Sequence, residues 1–471
     1  MGWLMFTTIF IFLICLHERD FLGKLIKNRG SESFSVKQSS IENIKLSNEQ
    51  RALFDLLENT NSNIFITGKA GTGKSLLLQY FKAHSHKKIV VCAPTGVAAM
   101  NVGGQTIHSL FKIRPGLLGK ARSAVDYQTA ELLKHIDTVV IDEISMVRAD
   151  LMDEVDNILR KSRKIDFPFG GVQTVMFGDL YQLPPIVNDA ELHKYFSNNL
   201  GGYFFFNARV WNKAELDIYE LRKVFRQTDS GFINLLNAVR VGNVDQEVLR
   251  QLNKRANMQI PREGVVILAA TNKVIGEINH SRLAELKTKE FQYQALVVGD
   301  IKESEFPTDQ TLRLKKGAQV MLLRNDKQKR WVNGTLGMVK SLSKDEVRVS
   351  VDGFTYSIPL TTWGKIRYYY DPETGEIEEK PISSFTQFPL RLAWAVTIHK
   401  SQGQTYKSCA INLGDGAFAY GQTYVALSRC VSIDGLYLMS QIQKSDISVA
   451  PQVTSFMEGA KSPLALQVFD T

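Results

Sequence analysis

The clearest chemical signal in the sequence is the octapeptide GKAGTGKS at residues 68–75. It fits the pattern G-x-x-x-x-G-K-[ST], follows a short apolar run and precedes a helical one. Glycines let backbone N–H groups surround phosphate oxygens, and the start of the next helix adds partial positive charge. We therefore expect a nucleotide site in which Lys74 reaches the β- and γ-phosphates and Ser75 binds Mg²⁺. The expected nucleotide contacts of this loop are Gly68, Ala70, Gly71, Thr72, Gly73, Lys74 and Ser75.

Two carboxylates and one amide are candidates for the chemistry beside that loop. Asp142 and Glu143 directly follow the apolar run at residues 139–141. Asp142 would hold Mg²⁺, and Glu143 would orient or deprotonate an attacking water. An acidic pair also suits a helix N-terminus, and only the companion loop favours the catalytic interpretation. Gln182, in GDLYQLPP at residues 178–185, is equally compatible with a γ-phosphate or water contact and with a surface amide.

These residues lie in a repeated strand–loop–helix pattern. Leu151, Val155, Ile158 and Leu159 lie on one face of a helix predicted for residues 150–161. Short apolar strands alternating with helices predict a parallel sheet covered on both faces. The predicted strands are residues 64–67, 89–93, 139–142 and 174–177, and in a second set 265–271, 408–412 and 436–439. A β-rich region lies between, with predicted strands at residues 320–323, 337–342, 347–351 and 355–358 and a hairpin tip at 371–376.

Composition excludes some classes of protein and favours one kind of partner. The chain has 471 residues, of which 44% are apolar and 22% charged, which excludes a wholly disordered chain and a polytopic membrane protein. Its net charge of +9 favours a polyanionic partner such as nucleic acid. The four cysteines are widely spaced, which argues against a disulfide framework or structural zinc and suits a reducing compartment.

The N-terminal residues 1–16 are almost wholly apolar and are followed by basic residues. Two explanations stay open: a short membrane anchor, or a start codon placed too early or a non-native leader. Residues 31–40 have a linker composition, so we expect the folded body from about residue 41.

Five further segments, taken together, resemble one enzyme family. They are DEIS at residues 142–145, GDLYQLPP at 178–185, LRKVFRQ at 221–227, TIHKSQGQT at 397–405 and YVALSR at 424–429. This set is similar to superfamily-one (subclass B) DNA helicases, and FGGVQ at residues 169–173 is similar to their Pif-one-like group, which is related to the RecD and Dda helicases. The resemblance runs from about residue 46 to residue 440.

The resemblance implies an α/β fold of two RecA-like parallel-sheet P-loop NTPase domains with a small β-barrel insertion in the second. The expected first domain is residues 41–215, with a pin-like insertion near 112–135 that would split the duplex. The second would be residues 216–308 and 387–445, interrupted by the barrel at 309–386. Residues 1–40 would be the apolar segment and linker, and residues 446–471 a C-terminal tail.

The resemblance also implies roles for single residues at the nucleotide. Gln50, in LSNEQ at residues 46–50, would bind the adenine edge. Arg226 and Arg429 match two arginines that reach the γ-phosphate from the second domain, where cations stabilise the charge that spreads during phosphoryl transfer. Either arginine taken alone could instead form a surface salt bridge.

Nucleic-acid contacts are expected after the strands of both domains. Phe111 would stack on a base or pack in the core, and His399 alone could be a structural histidine. Basic residues between 313 and 330, beside Trp331, suit a nucleic-acid groove or a solvated charged face. The expected DNA-binding residues are Pro94, Thr95, Gly96, His108, Ser109, Phe111, Thr271, Asn272, Thr397, His399 and Lys400.

The function expected from these observations is an ATP- and Mg²⁺-dependent DNA helicase, with 5′→3′ polarity implied by the resemblance alone. The alternative is a DNA-stimulated ATPase that remodels protein–DNA complexes without unwinding. The helicase half of a conjugative relaxase is disfavoured because the P-loop begins at Gly68. The expected partners are single-stranded and forked duplex DNA, bound by a functional monomer that is cytoplasmic or nucleoid-associated, or nuclear or mitochondrial in a eukaryote.

Overall fold

The computed structural model describes residues 45–114, 125–187, 189–227 and 229–460. The predicted apolar segment and linker, the centre of the predicted pin and the end of the tail lie outside these residues. Within the described ranges, no helix combines the length and apolarity needed to cross a membrane.

The chain alternates strands and helices in its first and last thirds and is rich in strands between them. The strands are β1 Ile64–Gly68, β2 Ile89–Ala93, β3 Gln105–Thr106, β4 Thr138–Ile141, β5 Gln173–Phe177, β6 Asp217–Leu221, β7 Val266–Ala269, β8 Glu290–Gln294, β9 Leu296–Val298, β10 Thr311–Lys315, β11 Gln319–Leu322, β12 Leu336–Leu342, β13 Val347–Val351, β14 Phe354–Ile358, β15 Thr361–Tyr370, β16 Ile377–Gln387, β17 Leu390–Leu392, β18 Ala395–Thr397, β19 Cys409–Asn412 and β20 Leu436–Leu438. The helices are α1 Asn48–Asn59, α2 Lys74–His84, α3 Gly96–Val102, α4 Ile107–Leu110, α5 Tyr127–His135, α6 Ala149–Arg163, α7 Ala190–Leu200, α8 Ser230–Val241, α9 Gln246–Asn253, α10 Asn272–Glu285, α11 Gln422–Leu427 and α12 Pro451–Gly459.

Two parallel sheets confirm the predicted α/β class. The first has the strand order β3-β2-β4-β5-β1-β6, and the second has the order β18-β7-β19-β20. The first sheet is covered on both faces, as strand β1 shows. Successive side chains of β1 point to opposite faces of the sheet, and each face packs in a core of its own. Ile64 and Ile66 pack with Leu53 of α1, whereas Phe65 joins the opposite core with Leu159 of α6. The helix predicted at residues 150–161 is confirmed within α6.

The region between β7 and β18 forms antiparallel sheets, which confirms its β-rich character. The strand orders are β14-β13-β12-β11-β17, β15-β16-β9 and β10-β8. A separate core that includes Leu312, Val320 and Val349 holds this insertion together. The predicted hairpin tip at residues 371–376 joins β15 to β16. These are three sheets, and a closed barrel stays a prediction.

Three predicted domain boundaries need correction. Strand β6 pairs with β1 from Asp217 to Leu221, so residues 216–221 belong to the first sheet and not to the second. Strands β8 and β9 pair with β10 and β16, and β17 pairs with β11, so the insertion extends beyond residues 309–386 at both ends. The sequence pattern missed these strands because they are short or half-exposed, and their partners are distant in sequence.

The hairpin β15–β16 packs on the edge of the first sheet. Strand β3 is short and pairs with β2 only at Cys92 and Ala93. The buried N–H of Val91, the preceding residue of β2, donates to the Tyr368 hydroxyl at 3.2 Å instead of to a strand. The Tyr370 ring stacks on His135 of α5 with 3.7 Å between centroids. Lys82 of α2 pairs with Glu379 at 2.7 Å. The insertion is therefore attached to the first sheet as well as to the second.

The Tyr368 hydroxyl should contribute measurably to stability because it pairs a buried backbone donor. We expect Tyr368→Phe to lower the free energy of unfolding by about 1–3 kcal/mol, since the Val91 N–H is left without a partner. Tyr369→Phe is the matched control, because within the described part of the chain the Tyr369 hydroxyl forms no hydrogen bond. Chemical unfolding of both variants measures the difference, and equal stabilities would contradict the role of the hydroxyl.

Candidate active site and nucleic-acid track

Four neighbouring strands end at the same edge of the first sheet and deliver the candidate catalytic residues. The P-loop follows β1, Asp142 and Glu143 follow β4, and Gln182 comes five residues after β5. Arg226 comes five residues after β6. Because β4, β5, β1 and β6 are consecutive in the sheet, their carboxyl ends bring these side chains together.

The P-loop backbone needs glycine at two positions and encloses the lysine. Gly71 and Gly73 have φ values of 86° and 83°, in the left-handed region. A Cβ atom on Gly71 would lie 2.5 Å from the Arg226 Cβ, so only glycine fits beneath that arginine. The Lys74 ammonium donates to the carbonyls of Gly68 at 2.5 Å and Lys69 at 3.1 Å. Burial lowers the pKa of Lys74, while Asp179 and Glu143 act in the opposite direction.

The acidic pair is poised for a cation and for proton transfer. Burial and the neighbouring Glu143 raise the pKa of Asp142 to about 7. Burial also raises the pKa of Glu143, against the effect of Lys74 and Arg429. Glu143 has a φ of 52°, unusual for a residue with a side chain and typical of strained functional positions.

A magnesium ion at this edge would depend on few protein ligands. In the described ranges, no group of three His, Cys, Asp or Glu residues could hold a metal. Ser75 is exposed at the first turn of α2, and Asp142 follows the strand two places away in the sheet. Two oxygen ligands suit Mg²⁺, which takes its remaining ligands from phosphates and water.

Two arginines near the P-loop, the half-buried Arg226 and the buried Arg429, have no carboxylate partner within the described residues. Arg226 donates to the carbonyls of Ser428 at 3.2 Å and Gly403 at 3.4 Å. Arg429 is 1% exposed and donates to the Val425 carbonyl at 2.9 Å and the Ser428 hydroxyl at 2.8 Å. Neither arginine forms a salt bridge within the described residues. Burial and the nearby Arg429 lower the pKa of Arg226 to about 9, so negative charge that develops between the two arginines would be stabilised.

The two arginines come from different parts of the fold, which corrects their assignment to the second domain. Arg429 follows α11, between β19 and β20 of the second sheet. Arg226 instead follows β6 of the first sheet, and the neighbouring Phe225 N–H donates to the Gly71 carbonyl at 2.8 Å. The chain at Arg226 is therefore bonded to the P-loop within the first sheet, while its guanidinium is held by carbonyls of the second-sheet part and Arg429 comes from that part entirely.

Sequence reasoning missed a buried ion pair at the centre of the site. Arg240 of α8 donates to Asp179 at 3.0 Å and to Glu220 at 3.1 Å, and its guanidinium lies 4.5 Å from the centroid of the Tyr181 ring. Burial alone would raise the pKa of Asp179, but Arg240 and Lys74 outweigh it and the net shift is downward. Asp179 lies in the GDLYQLPP segment, which could have identified it, whereas no motif marks Arg240.

A second missed residue, Gln402, joins the two sheets at the catalytic groups. Its Nε2 donates to the Glu143 carboxylate at 2.9 Å and to the Gln182 Oε1 at 3.3 Å. Gln182 is 7% exposed and also donates to Asp179 at 3.4 Å, so the surface-amide alternative for Gln182 is wrong. The structure thus brings Glu143, Gln182 and Asp179 into one hydrogen-bonded group.

Tyr424 also crosses between the sheets, because its hydroxyl accepts from the Ala70 N–H of the P-loop at 3.0 Å. Tyr424 lies in the YVALSR segment, in which the resemblance implies a role for Arg429 only. One helix therefore contacts the P-loop backbone and also leads to the buried arginine.

The nucleotide base has a candidate cavity beside the P-loop. Gln50 is buried, donates to the carbonyls of Thr72 at 3.4 Å and Gly73 at 3.3 Å, and accepts from the Ser47 N–H at 3.0 Å. The half-exposed ring of Phe225 lies next to Gly73 and suits stacking on a base. The cavity has a volume of about 560 Å³ and is lined by Lys45, Leu46, Ser47, Asn48, Glu49, Lys223 and Phe225.

Most of the predicted DNA-binding residues lie after strands of the two parallel sheets. Thr95, Thr271, Asn272 and Lys400 are exposed, and the half-buried group is Pro94, Gly96, His108, Ser109 and His399. The Thr95 hydroxyl accepts from the Ala98 N–H at 3.2 Å, and the Ser109 hydroxyl donates to Gln105 at 3.4 Å. Burial and Arg148 lower the pKa of His108, and burial lowers that of His399. Both imidazoles are therefore neutral hydrogen-bonding groups near pH 7.

Two predicted DNA contacts and one predicted patch need correction. Phe111 is wholly buried in the core, so the packing alternative is right and base stacking is wrong. Thr397 is also buried, and its hydroxyl accepts from the Lys400 N–H at 2.9 Å. The predicted basic patch is not one surface. Lys315 of β10 donates to the Leu286 carbonyl, whereas Arg330 lies in the loop between β11 and β12 of another sheet and pairs with Asp326 at 2.7 Å.

Family models match two parts of the chain. The model described as PIF1-like helicase matches residues 45–250, and the model described as DNA helicase Pif1, 2B domain, matches residues 300–342. The first match contains the P-loop, the acidic pair and both residues of the missed ion pair. The second lies within the antiparallel insertion.

Individual proteins and one solved structure are also similar. The chain is 36% identical over 422 residues to the ATP-dependent DNA helicase PIF1 of Homo sapiens, covering 86% of this chain and 62% of that protein. It is 32% identical over 429 residues to the ATP-dependent DNA helicase Pif1 of Bdellovibrio bacteriovorus, covering 88% of this chain and 92% of that protein. The crystal structure of Bacteroides sp Pif1 in complex with ADP-AlF4 superposes with a TM-score of 0.83 at 37% identity, covering 89% of this chain and 98% of that chain. The chain spans about three fifths of the length of the human and zebrafish proteins that it matches.

The burial of Phe111 generates a test that separates packing from DNA contact. We expect Phe111→Ala to lower the free energy of unfolding by about 3–5 kcal/mol, the usual cost of truncating a core phenylalanine. The affinity of the folded variant for single-stranded DNA should stay within about threefold of wild type. If Phe111 did stack on a base, its removal would instead weaken binding by about 1–3 kcal/mol. Phe167→Ala, at a ring that is 71% exposed, is the matched control for stability. A stable Phe111→Ala protein with weak DNA binding would restore the stacking role.

Proposed function

The chain belongs to the PIF1-like helicase family, and we propose that it is an ATP- and Mg²⁺-dependent DNA helicase that moves 5′→3′ on single-stranded DNA and unwinds duplex DNA. One observation carries the proposal: the buried Arg429 of the second sheet lies close enough to Glu143 of the first to lower the pKa of that carboxylate. A site divided in this way hydrolyses ATP only when the two sheets approach each other. Hydrolysis can then drive their relative motion along a strand bound across both.

Each residue at the cleft has a chemical task in this proposal. The P-loop N–H groups and Lys74 bind the phosphates, and Ser75 and Asp142 supply the protein oxygens for Mg²⁺. When bound, Mg²⁺ neutralises part of the charge on the phosphates. Glu143 accepts a proton from the attacking water, which Gln182 helps to orient, and Arg226 and Arg429 stabilise the charge that develops on the γ-phosphoryl oxygens.

The base and the DNA are assigned to separate surfaces. Gln50 donates to the P-loop carbonyls, and the Phe225 ring offers a stacking face for adenine. Because Phe225 and Arg226 are adjacent, the loop after β6 would contact both the base and the γ-phosphate. Single-stranded DNA would lie across the segments after β2, β3, β7 and β18, with Thr95, His108, Thr271 and Lys400 among its contacts. Single-stranded and forked duplex DNA are the proposed partners of a working monomer, in the cytoplasm or nucleoid, or in the nucleus or mitochondria of a eukaryote.

The two arginines should affect hydrolysis far more than nucleotide binding. We expect Arg226→Ala and Arg429→Ala each to lower DNA-stimulated ATP turnover by about 10³–10⁵, the range found for catalytic arginines. The affinity for a fluorescent ATP analogue should change little, because the P-loop and Mg²⁺ supply most ground-state contacts. Arg250→Ala, at an exposed arginine paired with Glu247, is the control. Turnover within about threefold of wild type in either variant would remove that arginine from the catalytic group.

Strand displacement tests the function and its direction together. We expect ATP-dependent separation of a duplex that carries a 5′ single-stranded tail, and little separation of one that carries only a 3′ tail, because the loaded strand sets the direction of movement. ATP hydrolysis stimulated by single-stranded DNA without displacement of either duplex would instead favour the remodelling ATPase. A preference for the 3′ tail would reverse the proposed polarity.

A further inference from the structure

Gln402 is hydrogen-bonded to Glu143 and Gln182, the two groups that would bind the attacking water in the proposed mechanism. Its single Nε2 donates to the Glu143 carboxylate at 2.9 Å and to the Gln182 Oε1 at 3.3 Å. Glu143 and Gln182 belong to the first sheet, whereas Gln402 follows β18 of the second. A second-sheet amide therefore holds a carboxylate oxygen that a general base would offer to water.

The occupied arrangement is unfavourable for hydrolysis for a simple reason. A general base must lie within hydrogen-bond reach of the proton that it removes. One amide N–H of Gln402 at the Glu143 Oε2 competes for that position, and the other N–H of the same nitrogen engages the Gln182 oxygen that would orient the water. While Gln402 stays in place, the Glu143 Oε2 and the Gln182 Oε1 are both engaged by protein.

The segment that carries Gln402 is the one predicted to contact DNA. Backbone bonds join the Gln402 N–H to the His399 carbonyl at 3.2 Å and the Ser401 N–H to the Thr397 carbonyl at 2.9 Å. The Thr397 hydroxyl also accepts from the Lys400 N–H at 2.9 Å. This bonded turn cannot shift at His399 or Lys400 without moving Gln402.

The chain on the other side of Gln402 permits such a shift. Gly403 has a φ of 78° and is exposed, with no atom near the position of a Cβ. A glycine in the left-handed region tolerates changes of backbone angle that other residues resist. The turn is thus anchored at the buried end of β18, and a pivot at Gly403 would break two bonds, from Arg226 to the Gly403 carbonyl at 3.4 Å and from the Gln404 N–H to the Ser401 carbonyl at 2.9 Å.

We propose that Gln402 is a positioning residue that restrains ATP hydrolysis until single-stranded DNA binds the segment at residues 397–400. The bound strand displaces the turn, withdraws the amide from Glu143 and Gln182, and leaves both groups to the attacking water. Gln402 couples the DNA track to the catalytic carboxylate. This role rests on the proposed DNA-stimulated ATP hydrolysis.

The test compares ATP turnover without DNA and at saturating single-stranded DNA. Gln402→Ala removes the amide, and Gln402→Asn keeps an amide that is too short to reach Glu143. In both variants we expect turnover without DNA to rise about five- to tenfold, as loss of a hydrogen bond to a charged group would allow. Turnover at saturating DNA should stay within about twofold of wild type, so that the stimulation by DNA falls.

Three further measurements make the result decisive. Gln251→Ala, at an exposed glutamine of α9 that contacts Glu247, should keep both rates. The double variant Glu143→Gln, Gln402→Ala should stay inactive, because the gain requires the carboxylate. The midpoint of thermal unfolding and the affinity for a fluorescent ATP analogue should match wild type.

Other outcomes would overturn the inference. Lower turnover with DNA and no rise without it would mean that Gln402 supports the active geometry and does not restrain it. Two unchanged rates would make the contact incidental. A wild-type protein whose turnover does not respond to single-stranded DNA would refute the proposed function itself, which is a separate failure.

Discussion

Positive charge held partly or wholly away from water is the constraint on which the arrangement of the site depends. Lys74, Arg226 and Arg429 converge at the end of the first sheet, and backbone carbonyls accept most of their hydrogen bonds. Carbonyl dipoles satisfy the N–H groups but leave the net charge uncompensated, which is costly away from water. A polyphosphate bound by the P-loop supplies the missing negative charge, and the two arginines are then placed to stabilise the charge that develops on it during phosphoryl transfer.

The ion pair between Arg240 and Asp179 keeps the positive charge of Lys74 available for a phosphate. Asp179 lies close enough to influence the pKa of Lys74 and could have neutralised it. Arg240 engages Asp179 instead, at 3.0 Å and out of contact with solvent. Asp179 in turn accepts from Gln182. Removing either partner of a buried pair leaves an uncompensated charge, so the pair fixes both the Gln182 amide and the electrostatic balance of the P-loop.

The insertion is joined to the first sheet close to the predicted DNA track. Lys365 of β15 pairs with Glu305 at 2.9 Å, and the Glu305 side chain lies over Gly96, where a Cβ would come within 2.9 Å of it. Tyr368 and Tyr370 of the same strand contact β2 and α5. Movement of the insertion would therefore be transmitted to the segments after β2 and β3, as movement of residues 397–400 would be transmitted to Glu143 through Gln402.

The sequence by itself determined the features that depend on local chain geometry. Short apolar runs identified the buried strands, a period-3.6 pattern identified the helix α6, and the spacing within GKAGTGKS identified the phosphate loop. The resemblance added Gln50, Arg226 and Arg429, which no spacing would single out. Tertiary structure alone decided which residues meet across long separations. It placed β6 in the first sheet and Arg226 beside Gly71, buried Phe111, and brought Arg240 to Asp179 and Gln402 to Glu143. Such contacts depend on strand order and on the approach of two sheets, and a side chain's own sequence neighbours carry little information about either.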